Sequence, residues 1–370
     1  MRSSTGYQRG TRTGFTTGAC AAAAARAAVT GLRQGVVPER VAVVLPNGQT
    51  VTFSVSEGFC GPTLAECVVI KDAGDDPDCT HGARLTARVQ LVPDQARVIH
   101  LRGGEGVGIV TRPGLGTPVG EAAINPTPRT NIIQNVREAA GHLLETSGLE
   151  VVIAIPGGEQ LARRTLNGRL GIEGGLSILG TSGIVYPYST AAYKESVRQS
   201  VRAAAAMGLT TVVLTTGRRT ERFARGILTD LSESAFIQMG DFVGAALESV
   251  AAVGMPRVVV AAMAGKLAKM GQGVDNTHAH KVSLDMARVA TLAAAAGAGP
   301  DELAQIRTGI TVRHAADVLT GRGLAAPFYQ QLVAGVATVM RQRLTASIRV
   351  EVLAFDAEGA LLAQWPVPAS

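Results

Sequence analysis

Six ionisable side chains crowd one short stretch: Lys71, Asp72, Asp75, Asp76, Asp78 and His81. Carboxylates set beside a lysine and a histidine shift one another's proton affinities, which is what acid/base chemistry requires. A calcium loop is excluded, because the acids are wrongly spaced, no Glu closes the run and Pro77 intrudes. A solvated acidic turn is the alternative reading.

A second segment, Arg12-Thr13-Gly14-Phe15-Thr16-Thr17-Gly18-Ala19-Cys20, runs into a row of alanines. A Gly/Thr loop that opens a helix presents unpaired N–H groups and a partial positive charge, so with Arg12 it suits an anion. The same helix end would lower the pKa of Cys20; a small buried thiol behind a helix cap is the competing and favoured reading.

Glycines dominate two further stretches. Gly103-Gly104-Glu105-Gly106-Val107-Gly108 follows a strand as a dinucleotide fingerprint would, but it runs into Arg112-Pro113-Gly114 instead of opening a helix. With Pro118-Val119-Gly120-Glu121 through Asn125-Pro126 it reads as an ordered loop that lets backbone approach a flat ligand closely. Gly171 to Gly183, rich in Gly, Ser and Thr, reads either as an N–H-lined nest or as tight packing at a domain junction.

The fifth segment is Gly265-Lys266-Leu267-Ala268-Lys269, followed by Asp275 to His280. A P-loop is excluded, since no Gly stands five residues before Gly265 and Leu267 replaces the hydroxyl that would hold magnesium. Lys266 after a strand still suits an anionic group as a point charge. His278 and His280 are two apart with no third ligand near, so no dedicated metal site is expected.

The elements that carry these segments follow from periodicity. In the first half, Gly18 to Val29 reads as a helix, Val41–Leu45 and Thr50–Val55 as a hairpin around Asn47-Gly48, and Leu85–Leu91 with Ala96–Leu101 as a strand pair. Asn131 to Thr146 reads as a helix and Val151–Ile155 as a buried strand. The second half alternates differently. Its helices are expected at Tyr193–Met207, Phe242–Val253, Val282–Ala296 and Pro327–Leu344, and its strands at Thr211–Leu214, Ala235–Met239 and Arg257–Ala262. Ile348–Phe355 and Leu361–Trp365 read as a terminal hairpin. The expected fold is an α+β domain with a largely antiparallel sheet over 1–185, carrying the Gly/Thr-rich loops. An α/β domain with a parallel, Rossmann-like sheet follows over 186–370, where ligands sit beyond the strand carboxyl ends.

Composition narrows the class. Of 370 residues, 46% are hydrophobic and 17% charged, so a sizeable core is available and disorder is excluded. No run reaches the ~18 apolar residues of a membrane span, and the N-terminus lacks the apolar core of a secretory signal. The expectation is therefore a cytoplasmic protein with no membrane partner. The cysteines, Cys20, Cys60, Cys67 and Cys79, fit no CxxC spacing and are read as free thiols. A net charge of +6 rests on 30 Arg against 5 Lys. A base-composition bias accounts for this as well as a demand for bidentate carboxylate grips does. The cations are scattered without interleaved aromatics, so nucleic acid is not the expected partner.

Taken together, the five segments resemble the cobalt-precorrin-5B C(1)-methyltransferase family of anaerobic cobalamin biosynthesis. The strings are RTGFTTGAC at 12–20, KDAGDDPD at 71–78, GGEGVGIVTRPGL at 103–115, PVGEAAINPTPR at 118–129, IPGGE at 155–159, NGRLGIEGGLSILGTSGIV at 167–185 and the Thr277-His278 region. Ala262-Met263-Ala264 departs from the pattern, where Gly-His is expected. The resemblance implies S-adenosylmethionine as methyl donor and a carboxylate-rich tetrapyrrole as acceptor, with cobalt present only as part of that substrate. It implies substrate contacts from Arg12, Thr16, Thr17, Arg112, Asn125, Arg129, Lys266, Lys269 and His278. Donor contacts are implied from Glu105, Glu121, Gly104, Gly106 and Asp241, and a proton acceptor among Asp75, Asp76 and His81. Neighbouring corrin-pathway enzymes are the implied protein partners. Another corrin-pathway step and a non-catalytic corrinoid carrier are the alternatives; saturable donor binding separates an enzyme from a carrier.

Overall fold

The computed structural model describes residues 10–278 and 282–367. The chain divides into two compact units, Met1–Thr190 and Ala191–Ser370.

The first unit is organised by the helix Thr17–Gln34. Alanine has the highest helix propensity, and its small side chain lets backbone pack close on several sides at once. Ala19 and every alanine from Ala21 to Ala28 is buried. The helix lies against the helix Pro126–Ala140 and the strands Leu64–Ile70 and Arg84–Pro93. It stops at Gly35, whose left-handed conformation directs its N–H to the carbonyl of Gly31.

A five-stranded sheet runs in the order Glu57–Cys60, Leu64–Ile70, Arg84–Pro93, Ser147–Ala154, Ile99–Gly103. Its pairs are antiparallel except the last, which is parallel. The hairpin Arg40–Val44 with Thr50–Ser54 forms its own small sheet. Two sequence expectations change here. The strands near 85–91 and 96–101 do not pair with each other, because Ser147–Ala154 lies between them. The helix expected over 131–146 starts at Pro126 and ends at Ala140, where Gly141 turns the chain with φ +51°; a short turn, Leu143–Thr146, follows.

The second unit has a five-stranded sheet in the order Phe236–Gln238, Thr211–Thr215, Arg257–Met263, Arg349–Phe355, Leu361–Trp365. The first four are mutually parallel and the last is antiparallel. The segment read as a terminal hairpin therefore extends the sheet as well as pairing with itself. All of Thr211–Thr215 is buried, as expected of a strand covered on both faces. Side chains alternate with period two: Val212, Leu214, Val258, Val260, Val350 and Val352 join the larger core. Val213, Val259, Ala261, Leu353 and Phe355 join a smaller one that includes Ala224 of the helix Arg218–Ile227. The helix expected at 282–296 begins at Met286, with Asp285 capping the N–H groups of Ala287 and Arg288. Helices Pro300–Thr308 and Val312–Thr320 were not foreseen.

Candidate functional site

In the first unit three of the singled-out segments are knitted together. The Gly14–Phe15 strand pairs with Ile184–Val185. The Arg12 guanidinium pairs with Asp72, and the Arg12 N–H donates to Asp75 Oδ2 at 2.7 Å. Asp76 Oδ2 accepts the Tyr188 N–H at 3.0 Å, and His81 Nδ1 accepts the Ala73 N–H at 3.1 Å. The Arg12 hydrogen bond holds the Asp72 carboxyl below its ordinary pKa despite partial burial. Asp75, Asp76 and His81 thus each bind a main-chain N–H and hold the segments in register. Lys71 is buried at 1% exposure, with its ammonium 2.7 Å from Asp78 Oδ2.

The helix end at 16–18 is engaged internally. Thr16 Oγ1 accepts from Ala19 N, Gly18 N donates to Leu179 O at 3.0 Å, and Thr17 Oγ1 accepts from Leu179 N at 2.9 Å. Thr16 and Thr17 are both buried; the Thr16 N–H donates to Gly183 O at 3.0 Å, and the Thr17 hydroxyl lies 3.2 and 3.3 Å from the carbonyls of Ser177 and Leu179. Cys20 follows the favoured reading of a small buried thiol: burial pushes it up to about 12.

The glycine loops pack on one another. A Cβ at Gly106, whose φ is +70°, would lie 1.9 Å from the Ile155 carbonyl oxygen, and one at Gly158 or Gly175 would lie 2.2–2.3 Å from the Gly106 oxygen. Gly104 faces Val152 and Ala154 at 2.8 and 3.4 Å. Protein therefore occupies the faces of Gly104 and Gly106 that were expected to admit a flat ligand, and Glu105 stands exposed beside them. Arg112 packs its side-chain carbons over Gly171. Asn125 precedes the helix Pro126–Ala140, its N–H donating to Ile178 O at 3.0 Å. A cleft of about 320 Å³ opens beside that helix, lined by Pro46, Pro126, Thr127, Thr130, Asn131 and Gln134; none of the expected residues lines it.

In the second unit the polar residues gather at the strand carboxyl ends. Asp241, three residues beyond Gln238, takes an ion pair from Lys266 and a 2.8 Å hydrogen bond from Thr277 Oγ1, both on Oδ1. Thr277 is fully buried, and its N–H donates to Asp241 O at 3.0 Å. Burial raises the Asp241 pKa, but the hydrogen bonds of Lys266 and Thr277 and the charges of Lys266 and His278 outweigh it and hold the group ionised below its ordinary value. Tyr193 stacks near Phe242 with ring centroids 5.3 Å apart, and burial together with Asp241 raises its phenol. Lys269 is half-buried on the helix Ala264–Met270, the His278 N–H donates to Asn276 Oδ1 at 2.8 Å, and His280 lies outside the described residues.

One pattern recurs in both units. Glu121 and Arg129, expected to serve donor and macrocycle separately, pair with each other at 3.2 Å; Asp241 and Lys266 do the same. Sequence reasoning missed the buried Glu221, which accepts from Gln238 Nε2 at 2.7 Å. In RRTERF it looks like one more surface charge. The spacing of Thr220, Glu221 and Ala224, a buried stripe without large apolar residues, is the signal that finds it.

An open, mostly parallel sheet with polar residues gathered at its strand ends places the second unit in the mixed α/β class. By sequence the chain belongs to the CbiD family: the CbiD profile matches residues 4–187 and the profile of the CbiD C-terminal domain matches 276–366. It is 53% identical over 354 residues to a cobalt-precorrin-5B C(1)-methyltransferase of Dechloromonas aromatica (strain RCB), covering 95% of this chain and 90% of that protein. It is 52% identical over 356 residues to the same-named protein of Methylococcus capsulatus (strain ATCC 33009 / NCIMB 11132 / Bath), covering 96% and 93%. A crystal structure of the cobalamin biosynthesis protein CbiD from Archaeoglobus fulgidus matches at 26% identity and a TM-score of 0.39, covering 69% of this chain and 78% of that one. No helix among the described residues is long and apolar enough to cross a membrane.

Proposed function

We propose that the chain transfers a methyl group from S-adenosylmethionine to C1 of cobalt-precorrin-5B, giving cobalt-precorrin-6A. The observation that carries this is identity above 50% along nearly the whole chain to proteins named for that reaction. The donor supplies a methyl carbon activated by a sulfonium. An electron pair of the macrocycle carbon forms the new C–C bond while the S–C pair stays on sulfur, so charge disperses and no metal of the protein's own is needed in the balance. The protein's work is to hold two partners in line, an effect worth roughly 7–11 kcal/mol in favourable cases.

Within this reading, cobalt enters only with the substrate. The acetate and propionate groups of the macrocycle are assigned to Arg12, Arg112 and Arg129 of the first unit. The second unit's sheet is read as Rossmann-like. A cytoplasmic location and neighbouring corrin-pathway enzymes as partners suit a biosynthetic step. The test is incubation with cobalt-precorrin-5B and ¹³C-methyl donor, with the label located by NMR. Label on C1 is expected; label on another ring carbon, or none, refutes the reading.

A further inference from the structure

The second unit contains a topological switch point. After Thr211–Thr215 the chain passes to the helix Arg218–Ile227 on the smaller core's face. After the neighbouring parallel strand Arg257–Met263 it passes to Ala264–Met270, whose Leu267 and Ala268 join the larger core on the opposite face. Chains that leave adjacent strand ends in opposite directions open a crevice between them, and ligands of open α/β sheets lie there.

Two glycines flank that crevice, Gly217 after the first strand and Gly265 after the second, and a Cβ on either would meet nothing within 4 Å. This is the reverse of Gly106, Gly158 and Gly175, whose faces are filled by backbone. Asp241 stands at the end of the strand that borders Thr211–Thr215 on its other side. Lys266 and Thr277 both bind its Oδ1, which leaves Oδ2 without a hydrogen bond among the described residues. The Asp241 and Lys266 side chains remain 24% and 36% exposed, so both are within reach of a ligand.

The geometry points to this crevice as the seat of the methyl donor, with Asp241 Oδ2 accepting a ribose hydroxyl, Lys266 meeting the donor's carboxylate, and the open faces of Gly217 and Gly265 admitting its body. An acidic side chain after the second strand of such a sheet is placed to bind a ribose diol. Asp241 also neutralises Lys266, so the sulfonium does not face an unpaired cation. The inference rests on the methyltransferase reading and adds the location, which that reading leaves open.

The test is calorimetric titration with S-adenosylhomocysteine, beside the thermal unfolding of each variant. Gly265→Val fills open space on a helix, so a merely structural glycine predicts unchanged or raised stability and unchanged binding. The expected result is unchanged stability with Kd raised at least tenfold. Asp241→Asn is expected to raise Kd about tenfold and Asp241→Glu to recover part of it. Wild-type binding and methyl transfer with an unaltered Kd in Gly265→Val and Asp241→Asn would overturn the location alone. A wild-type protein that neither binds S-adenosylhomocysteine nor transfers a methyl group would overturn the enzymatic reading and the location with it.

Discussion

The ammonium of Lys71 sits 2.7 Å from Asp78 Oδ2 with only 1% of its side chain exposed, while Thr80 donates to the other carboxylate oxygen through its N–H at 2.8 Å and its hydroxyl at 2.6 Å. Removing one partner of a buried pair strands the other charge, at about 3–5 kcal/mol. Asp78 keeps some contact with water, so Lys71→Met is expected at the lower end, about 3 kcal/mol by urea unfolding, and Lys71→Met with Asp78→Asn is expected to recover part of it. A loss below about 1 kcal/mol would show that the pair contributes little. Burial raises the Asp78 pKa, but the Lys71 charge and the hydrogen bonds of Lys71 and Thr80 bring it below its ordinary 3.8. A carboxylate with a lowered folded pKa stabilises above its unfolded value. This contribution is therefore present above about pH 4 and lost as pH falls through the folded value, which acid titration of wild type against Asp78→Asn measures.

The helix Pro126–Ala140 holds the Arg40–Val44 hairpin by its backbone. Asn135, 1% exposed, accepts from Val44 N and Arg26 Nη1, both at 3.2 Å, and donates to Val44 O at 3.0 Å. Asn131 donates to the same carbonyl at 2.8 Å, but its Oδ1 is buried without a partner among the described residues. Unsatisfied buried groups cost about 1–3 kcal/mol each. Asn135→Ala is expected to cost about 3 kcal/mol and Asn131→Ala no more than about 1 kcal/mol, measured by denaturant midpoints. Equal losses would mean that the bonds to Val44 O alone hold the hairpin.

Cys20 offers a kinetic check on burial. Its thiol is raised by desolvation from 9.0 to about 12. The thiolate is the reactive species, so at pH 8 iodoacetamide is expected to modify half-buried Cys60 and Cys79 long before Cys20, which reacts only on unfolding. The sign for stability follows. Between pH 9 and 12 the unfolded chain binds fewer protons at this site than the folded one, so stability falls as pH rises through that window. Mass spectrometry that found Cys20 labelled at the rate of Cys60 would contradict its placement.

Arg129 and Glu121 share one ion pair, so they are expected to act on one ligand. Arg129→Ala is expected to weaken macrocycle binding by about 1–2 kcal/mol, in keeping with loss of a charge-assisted hydrogen bond, while S-adenosylhomocysteine binding stays unchanged. Equal loss of both ligands would place Arg129 in a shared or purely structural role.

Local patterns were legible in the residues. The alanine row with its Thr16 cap, the Asn47-Gly48 hairpin and the β-branched strands at 211 and 257 all follow from propensity, turn chemistry and period. What escaped depended on tertiary context. Nothing local says that Ser147–Ala154 separates two strands joined by a short loop, or that Gly106 spends its missing side chain on the Ile155 carbonyl. The same holds for the site. Residue types at Asp241, Lys266, Glu121 and Arg129 were visible as charges suited to ligands, but their mutual pairing is a property of the folded chain.

The insertion of Ser147–Ala154 between Arg84–Pro93 and Ile99–Gly103 has a consequence for how the protein is made. Two stretches close in sequence must be held a strand's width apart until a segment synthesised more than forty residues later arrives to join them. During translation their facing edges stay unpaired, and a hairpin between them is the nearest wrong product. Sheet closure in this unit is therefore a long-range step, the kind that slows folding and invites misassembly on the ribosome.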